Sequence, residues 1–415
     1  MHSFTVLFTI LLAAGLVLRL WLLQRQVRAV RAHRDHVPKP FAGAVTPEQH
    51  ARAADYTIAR ARHSAIQLVA GTVLLLVLTL AGGIAAIDAW SSRTGLTGLA
   101  QGVTAIGATG LVLMLAGLPF DVWSTFRIEA RFGFNRTTPA LFALDLLKGL
   151  VIAACLMLPL VALLLWLMPR AGERWWLWAW AAWALFSILL GWAWPRLIAP
   201  LFNRFRELEN GPMRDAVESL ARNCGFEPRG VMVMDGSRRS THGNAYFTGL
   251  GRAKRIVFFD TLLETLAPTE VQAVLAHELG HFRLRHVAWR IVASLVAAFA
   301  GFALLAWLAR ESWFQPALGV TDGGPPTLLL LFALTAPVFL LPLGPLSAWI
   351  SRRHEFAADE YAAQHADAQA LADALVKLYR DNASTLTPDP LYTAFHATHP
   401  PALARIARLT AGRRA

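Results

Sequence analysis

The chain has 415 residues, of which 55% are hydrophobic and only 16% charged, and its mean hydropathy is +0.44. This composition excludes an ordinary soluble enzyme and predicts a polytopic membrane protein. The net charge of +12 is spread along the chain without a recognisable nucleic-acid-binding motif, so we expect no nucleic-acid partner.

Seven segments are long and apolar enough to cross a bilayer. They lie at about 4–23, 66–90, 98–119, 150–168, 175–195, 287–309 and 327–350. The first has no Lys or Arg before it and no small-residue cleavage site after it. We therefore expect a retained anchor rather than a cleaved signal peptide.

The basic residues around these segments predict an orientation. The stretch 24–65 is rich in arginine, whereas the loop after the second segment offers Arg93 alone. By the positive-inside rule, 24–65 is a cytoplasmic loop, the N-terminus lies outside, and the C-terminal region lies in the cytoplasm. We expect a multi-pass protein of a bacterial inner membrane.

The two cysteines, Cys155 and Cys224, fall in a spanning segment and a polar region, so no disulfide framework is predicted.

A polar stretch at 196–286 interrupts the apolar segments and is predicted to be a catalytic insert. Residues 230–234 indicate a short buried strand, and 244–248 with 255–259 indicate a hairpin around 249–251. An edge strand beside a metal-binding helix would let an extended peptide add by backbone hydrogen bonds. The alternative, that the hairpin only shields the helix, remains open.

The sequence His277-Glu278-Leu279-Gly280-His281 is an H-E-x-x-H motif. Histidines four residues apart lie on one helix face and can share a tetrahedral zinc ion, with Glu278 placed to take a proton from the attacking water. Pro268 opens a helical pattern, so the motif lies in mid-helix. The alternative is an amphipathic helix whose histidines are solvated.

A third zinc ligand must come from elsewhere in the chain. Four candidates follow the seventh apolar segment: His354, Glu355, Asp359 and Glu360. Spacing does not choose among them, and a solvated, salt-bridging helix face is the alternative.

The chain resembles the type I CAAX prenyl proteases over nearly its whole length. The matching blocks, beyond HELGH, are 25–26, 55–56, 125–135, 199–203, 244–249, 353–359 and 399–401. The resemblance implies a mainly α polytopic membrane protein, with seven transmembrane helices enclosing a chamber and a cytoplasmic-side zinc metalloprotease insert that contains a small β-hairpin or sheet. We expect four regions: an N-terminal membrane region at 1–195, the catalytic insert at 196–286, two further spans at 287–350 and a C-terminal cytoplasmic segment at 351–415.

The same resemblance assigns roles to individual residues. It implies that Glu355 completes the zinc shell with His277 and His281, and that Asp359 orients a ligating imidazole. It also implies an oxyanion-stabilising role for His399. Three further residues are expected near the substrate: Asn244, Ala245 and Arg405.

We therefore predict a membrane-embedded endopeptidase with one Zn²⁺ per chain, Glu278 and His399 as catalytic residues, and the bilayer and a peptide, possibly a prenylated one, as partners. Its substrates are hydrophobic, lipid-bearing or extended C-terminal segments, in CAAX-type processing or in membrane protein quality control. The alternative is a non-catalytic membrane scaffold or transporter that retains a protease-like fold.

Overall fold

The computed structural model describes residues 2–226, 230–248 and 255–411. Within them, seven helical segments are long and apolar enough to cross a membrane, which confirms the predicted number and order of spans. These are Ser3–Ala32, Pro47–Leu78, Gly98–Glu129, Pro139–Arg170, Gly172–Phe202, His286–Leu308 and Pro325–His365.

The first five spans are built from the N-terminal helices. These are α1 (Ser3–Ala32), α2 (Pro47–Leu78), α3 (Gly83–Ser92), α4 (Gly98–Trp123), α5 (Pro139–Arg170), α6 (Trp175–Ala193) and α7 (Ala199–Phe202). A π-helical turn, Ser124–Glu129, prolongs α4, and another, Trp194–Ile198, joins α6 to α7.

The polar stretch after the first span was predicted to be a loop, but most of it is helical. Helix α1 continues to Ala32 and α2 already begins at Pro47, capped by Thr46 and Gln49. Hydropathy reports burial in lipid rather than helix formation, and arginine and alanine are good helix formers in water as well. The stretch 24–65 is thus mostly helical, with a connection only between the two helices.

The second predicted segment, 66–90, is likewise divided. Helix α2 ends at Leu78, and Gly82 adopts a left-handed conformation (φ 78°) before α3 begins. The apolar run therefore belongs to two helices, because a Gly-Gly pair permits the turn without changing the local hydropathy.

The insert that follows contains a four-stranded mixed sheet. Its elements are β1 (Phe205–Glu207), α8 (Pro212–Asn223), β2 (Val231–Met234), β3 (Ala245–Thr248), β4 (Arg255–Phe259), α9 (Asp260–Thr265) and α10 (Pro268–Arg283). The strand order is β1-β2-β4-β3, with β2 and β4 parallel and the other two pairs antiparallel. The predicted hairpin is therefore present with β3 as an edge strand, its turn lying outside the described residues. The sequence did not predict β1.

The last part of the chain returns to the membrane and leaves it again. Its helices are α11 (His286–Leu308), α12 (Phe314–Ala317), α13 (Pro325–Leu340), α14 (Gly344–His365), α15 (Ala368–Asp381), α16 (Pro390–His396) and α17 (Ala402–Ala411). Helix α14 continues α13 through a short 3₁₀ turn and packs along α10. The seventh span thus continues as a helix that packs against α10, the helix of the H-E-x-x-H motif.

The seven spans pack beside one another in an order that differs from their order in the chain. Neighbours in space follow the order second, first, seventh, third, fourth, fifth and sixth span. Only 11–28% of each span's most apolar window is buried within the protein. Where the spans do pack together, their buried side chains form one apolar cluster that includes Phe8, Leu305 and Leu331. The enclosed chamber stays a prediction.

The insert has its own apolar core. Buried side chains of α10, β2, β4, α15 and α17 form one cluster that includes Phe258, Leu275 and Leu371. Burial of these side chains is the main favourable contribution to the insert's stability and holds α10 rigid. The functional site lies on the face of α10 that this core leaves free.

Candidate metal centre and active site

The two histidines of the motif lie side by side on α10. Pro268 occupies the first turn of the helix, and the Glu270 carboxylate accepts the Ala267 N–H at 2.6 Å, so the helix begins at a defined residue. One helical turn separates the two imidazoles, and their Nε2 atoms are 3.2 Å apart.

Helix α14 brings one carboxylate to both imidazoles. The two oxygens of Glu355 lie 3.3 Å from His281 Nε2 and 3.5 Å from His277 Nε2, and Glu355 is 5% exposed. The other candidates point elsewhere: His354 stacks on His286 at 4.0 Å, and Glu360 is exposed. Of the residues that spacing left open, Glu355 is the one that completes a three-ligand group.

This group fits a tetrahedral zinc ion. Ligand atoms bound about 2.0–2.1 Å from one zinc ion at tetrahedral angles lie about 3.3 Å from each other, close to the 3.2–3.5 Å separations here. In addition, the buried Oε2 of Glu355 accepts no hydrogen bond from the described residues. A buried carboxylate oxygen without a donor is costly unless a cation satisfies it.

Gly280 permits the close approach of the two helices. A Cβ atom at this position would lie 3.1 Å from Ala358 Cα and 3.2 Å from Ala358 O, both backbone atoms of α14. Any larger residue would push α14, and Glu355 with it, away from α10.

Two charged side chains stand behind His277. Its Nδ1 lies 2.8 Å from Asp359, and Arg405 donates to both oxygens of that carboxylate at 2.8 and 2.6 Å. Burial opposes protonation of His277, but its hydrogen bonds with Asp359 and Glu355 outweigh it and raise its pKa to about 9.

Glu278 faces a cavity of about 300 Å³ beside the two histidines. Burial raises the pKa of its carboxyl above the ordinary value. The same cavity is lined by His399, whose Nε2 is 3.4 Å from Glu355 and whose side chain is 61% exposed. The Glu278 carboxyl and the His399 imidazole therefore line one cavity beside the candidate metal ligands.

The edge strand β3 begins at the same cavity. Asn244 and Ala245 line it together with Gly243. The side-chain oxygen of Asn244 accepts the Ala245 N–H at 2.8 Å, which leaves the amide nitrogen of Asn244 as a donor toward the cavity.

Comparison with known proteins gives a consistent result. Residues 26–204 match the family described as CAAX prenyl protease N-terminal, five membrane helices, and residues 207–413 match peptidase family M48. The chain is 31% identical over 397 residues to a CAAX prenyl protease 1 homolog of Oryza sativa subsp. japonica, covering 93% of this chain and 92% of the relative. It is 37% identical over 298 residues to the Arabidopsis thaliana homolog, covering 70% and 69%.

The chain belongs to the CAAX prenyl protease 1 family. The crystal structure of S. mikatae Ste24p matches it with a TM-score of 0.91 and 29% sequence identity over 99% of each chain. This CAAX prenyl protease family member is therefore a membrane metallopeptidase with the predicted fold. The scaffold or transporter alternative gains no support from these relatives.

The family member holds one histidine near the metal centre that the sequence reasoning missed. His286 is 6% exposed, and its Nδ1 lies 3.0 Å from His281 Nδ1. Arg285, just before it, has a left-handed backbone (φ 58°), which breaks the helix and turns His286 back onto His281. The sequence could have predicted this contact only if the helix break at Arg285 had been recognised. On a continuous helix, residues five positions apart point in different directions.

The apolar wall of the cavity was also not predicted. It is formed by Leu262, Val274, Leu371, Leu375, Leu378 and Tyr379. These side chains come from α9, α10 and α15, and sequence periodicity marks them only as core residues.

Proposed function

We propose that this family member hydrolyses peptide bonds with one Zn²⁺ held by His277, His281 and Glu355. The single observation that carries the proposal is that the two imidazole Nε2 atoms lie 3.2 Å apart and each lies 3.3–3.5 Å from one oxygen of the Glu355 carboxylate. When bound, zinc polarises the scissile carbonyl and lowers the pKa of water.

The remaining steps belong to side chains around the cavity. Glu278 accepts the proton of the attacking water and passes it to the leaving amine, a role favoured by the raised pKa of its carboxyl. His399 donates to the developing oxyanion. The Asn244 amide and the unpaired edge of β3, which begins at Ala245, hold the substrate backbone.

We assign Asp359 and Arg405 a positioning role. Asp359 accepts the Nδ1–H of His277 and leaves Nε2 free for the metal, and Arg405 fixes Asp359 through two hydrogen bonds. Arg405 is 5% exposed, with its donors on these carboxylates, so we favour this role over the substrate contact that the sequence predicted.

We propose the C-terminal segment of a prenylated protein as the substrate class. Two observations support it: the names of the relatives, and an apolar cavity wall that suits aliphatic side chains. The charge asymmetry of the loops supports an active site that opens to the cytoplasm. Placement in a bacterial inner membrane stays a prediction, and the relatives named above are eukaryotic.

The test is cleavage of matched farnesylated and unprenylated CAAX peptides by the detergent-purified protein, with products identified by mass spectrometry. Glu278→Ala is the control, because it should lower turnover by about 100-fold or more while zinc stays bound. Zinc content is measured on both proteins.

Cleavage of the farnesylated peptide alone would support CAAX processing. Equal cleavage of both peptides would favour a quality-control protease. Loss of zinc in Glu278→Ala would overturn the catalytic assignment of Glu278.

A further inference from the structure

The segment that leads into β3 is attached to the membrane region. The Thr241 N–H donates to Phe134 O at 3.2 Å. Beside this bond, Asn135 and Ser240 form an antiparallel bridge. The connection between the third and fourth spans therefore pairs with the residues that come just before β3, although the two stretches lie about a hundred positions apart in the chain.

Arg239 fixes the beginning of the same segment. Its guanidinium donates to both carboxylate oxygens of Asp145 in α5, at 2.8 and 3.0 Å. It also donates to the side-chain oxygen of Asn203, the residue that follows α7, at 2.9 Å. A bidentate pair of this kind fixes orientation as well as distance. Two helices of the membrane region thus hold the segment at its start.

His242 lies at the other end of the segment, two residues before Asn244. Its ring stacks on Phe134 with the centroids 4.4 Å apart. Its Nε2 lies 3.6 Å from one oxygen of Glu129, at the end of the third span, and the other oxygen of Glu129 accepts the Tyr56 hydroxyl at 2.6 Å. Tyr56 is 3% exposed, so a buried chain of contacts runs from α2 to the entry of β3.

Asn382, just after α15, joins His242 to the backbone of the next residue. Its side-chain oxygen accepts the Gly243 N–H at 3.2 Å and lies 3.1 Å from His242 Nδ1. Its amide nitrogen donates to Gly243 O at 3.4 Å. Both backbone groups of Gly243 are therefore bound by one side chain, and that side chain contacts the His242 imidazole.

The start of β3 depends on this segment for its position. Within the described sheet, β3 has β4 as its one neighbour. A shift at Gly243 would therefore carry Asn244 and Ala245 with it, and both of these line the cavity beside the metal ligands. Misplacing a substrate by about 1 Å can cost about 100-fold in rate. The contacts of His242 can thus control cleavage through the position of the strand.

We propose that His242 is a positioning residue for the hydrolysis. Through Glu129 on one ring nitrogen and Asn382 on the other, it holds the start of β3 where a peptide paired with that strand reaches the metal ligands. The inference rests on the proposed function, and it makes the membrane region part of the substrate-binding site rather than an anchor alone.

The inference also gives a role to parts of the sequence that the catalytic assignments leave without one. Tyr56, Glu129, Phe134 and Asn203 all belong to the network that ends at His242 and Arg239. They come from three of the blocks singled out in the sequence: 55–56, 125–135 and 199–203.

The test combines one enzyme variant with a change in the substrate backbone. His242→Phe keeps a ring that can stack on Phe134 and removes both nitrogens. The substrates are a farnesylated CAAX peptide and a series of analogues, each with one backbone amide other than the scissile one replaced by an ester. In the wild type, the ester at the amide that pairs with β3 should lower kcat/KM by about 10-fold.

His242→Phe should cut the all-amide peptide at least about 10-fold more slowly at unchanged zinc affinity. The same ester should then cost less than about 2-fold, because the pairing that it removes is already lost. Asn382→Ala should act in the same direction. Glu264→Gln, which changes an exposed carboxylate of α9, is the control and should behave as the wild type.

An ester penalty as large in His242→Phe as in the wild type would overturn the inference, because pairing would then not depend on His242. A fall in zinc affinity that matches the fall in activity would also overturn it, since that pattern reports a disturbed metal centre. If the wild type cleaves no peptide above the Glu278→Ala control, the proposed function itself is overturned, and this inference with it.

Discussion

Two imidazoles on one helix turn are held by different kinds of neighbour. A carboxylate contacts Nδ1 of His277, whereas another imidazole contacts Nδ1 of His281. If His281 binds the metal through Nε2, its Nδ1–H donates and His286 accepts, so the buried His286 must carry its proton on Nε2. His286 in turn stacks on His354, with ring planes 10° apart.

We therefore expect His286→Ala to weaken zinc binding by about 10- to 100-fold, because His281 would lose the group that fixes its ring. The measurement is zinc competition against a chelator of known affinity. His286→Asn, which keeps an acceptor, should recover part of the loss. His365→Ala removes an exposed histidine of α14 and should leave the affinity unchanged, and equal affinities in all three variants would contradict the assignment.

At the scale of helices and strands, the metal centre depends on how closely α14 approaches α10. Ala358, one turn after Glu355, faces Gly280 without space for a methyl group between the two helices. The H-E-x-x-H pattern does not specify which residue stands at position 280. The need for a glycine there becomes clear only when the partner helix is known.

Gly280→Ala should destabilise the fold by about 1–3 kcal/mol and weaken zinc binding, because the added methyl meets backbone rather than a movable side chain. Thermal unfolding and chelator competition measure the two effects. The matched control is Gly149→Ala in α5, where a Cβ would meet no atom within 4 Å. An unchanged zinc affinity in Gly280→Ala would show that α14 adjusts without cost.

Several elements were predictable because their signals are local. Apolar runs specify the spans, and Pro268 with an apolar stripe specifies α10. The ligand group was predictable only in part: His277 and His281 follow from spacing, whereas the choice of Glu355 needed a family resemblance or the packing of α14. The contacts of Arg405 and His286 depend on tertiary structure, which no periodicity encodes.

For the whole molecule, the proposed metal ligands are positioned by packing among protein side chains. Helix α10 is buried in the core of the insert, and Asp359 with Arg405 fixes the region behind His277. Helices α11 and α13 also pack against other spans, α11 against α6 and α13 against α1 and α4.

Removal of zinc with a chelator should therefore abolish cleavage but leave the helical content unchanged by circular dichroism. The melting temperature should fall, since a ligand at 1,000 times its Kd stabilises the folded state by about 4 kcal/mol. Adding zinc back should restore both properties. A collapse of helical content would mean that the metal organises the fold instead.

Helix α1 is joined directly to the residue that caps α16, far along the chain. Arg25 donates to both carboxylate oxygens of Asp389 at 3.3 and 2.9 Å, and the Gln26 side chain accepts the Asp389 N–H at 2.8 Å. Asp389 caps α16, which leads to His399 and Arg405. Because Gln26 and Asp389 are 363 positions apart in the sequence, this contact forms only after all the spans between them have been made, and we expect the proposed site to be completed late in folding.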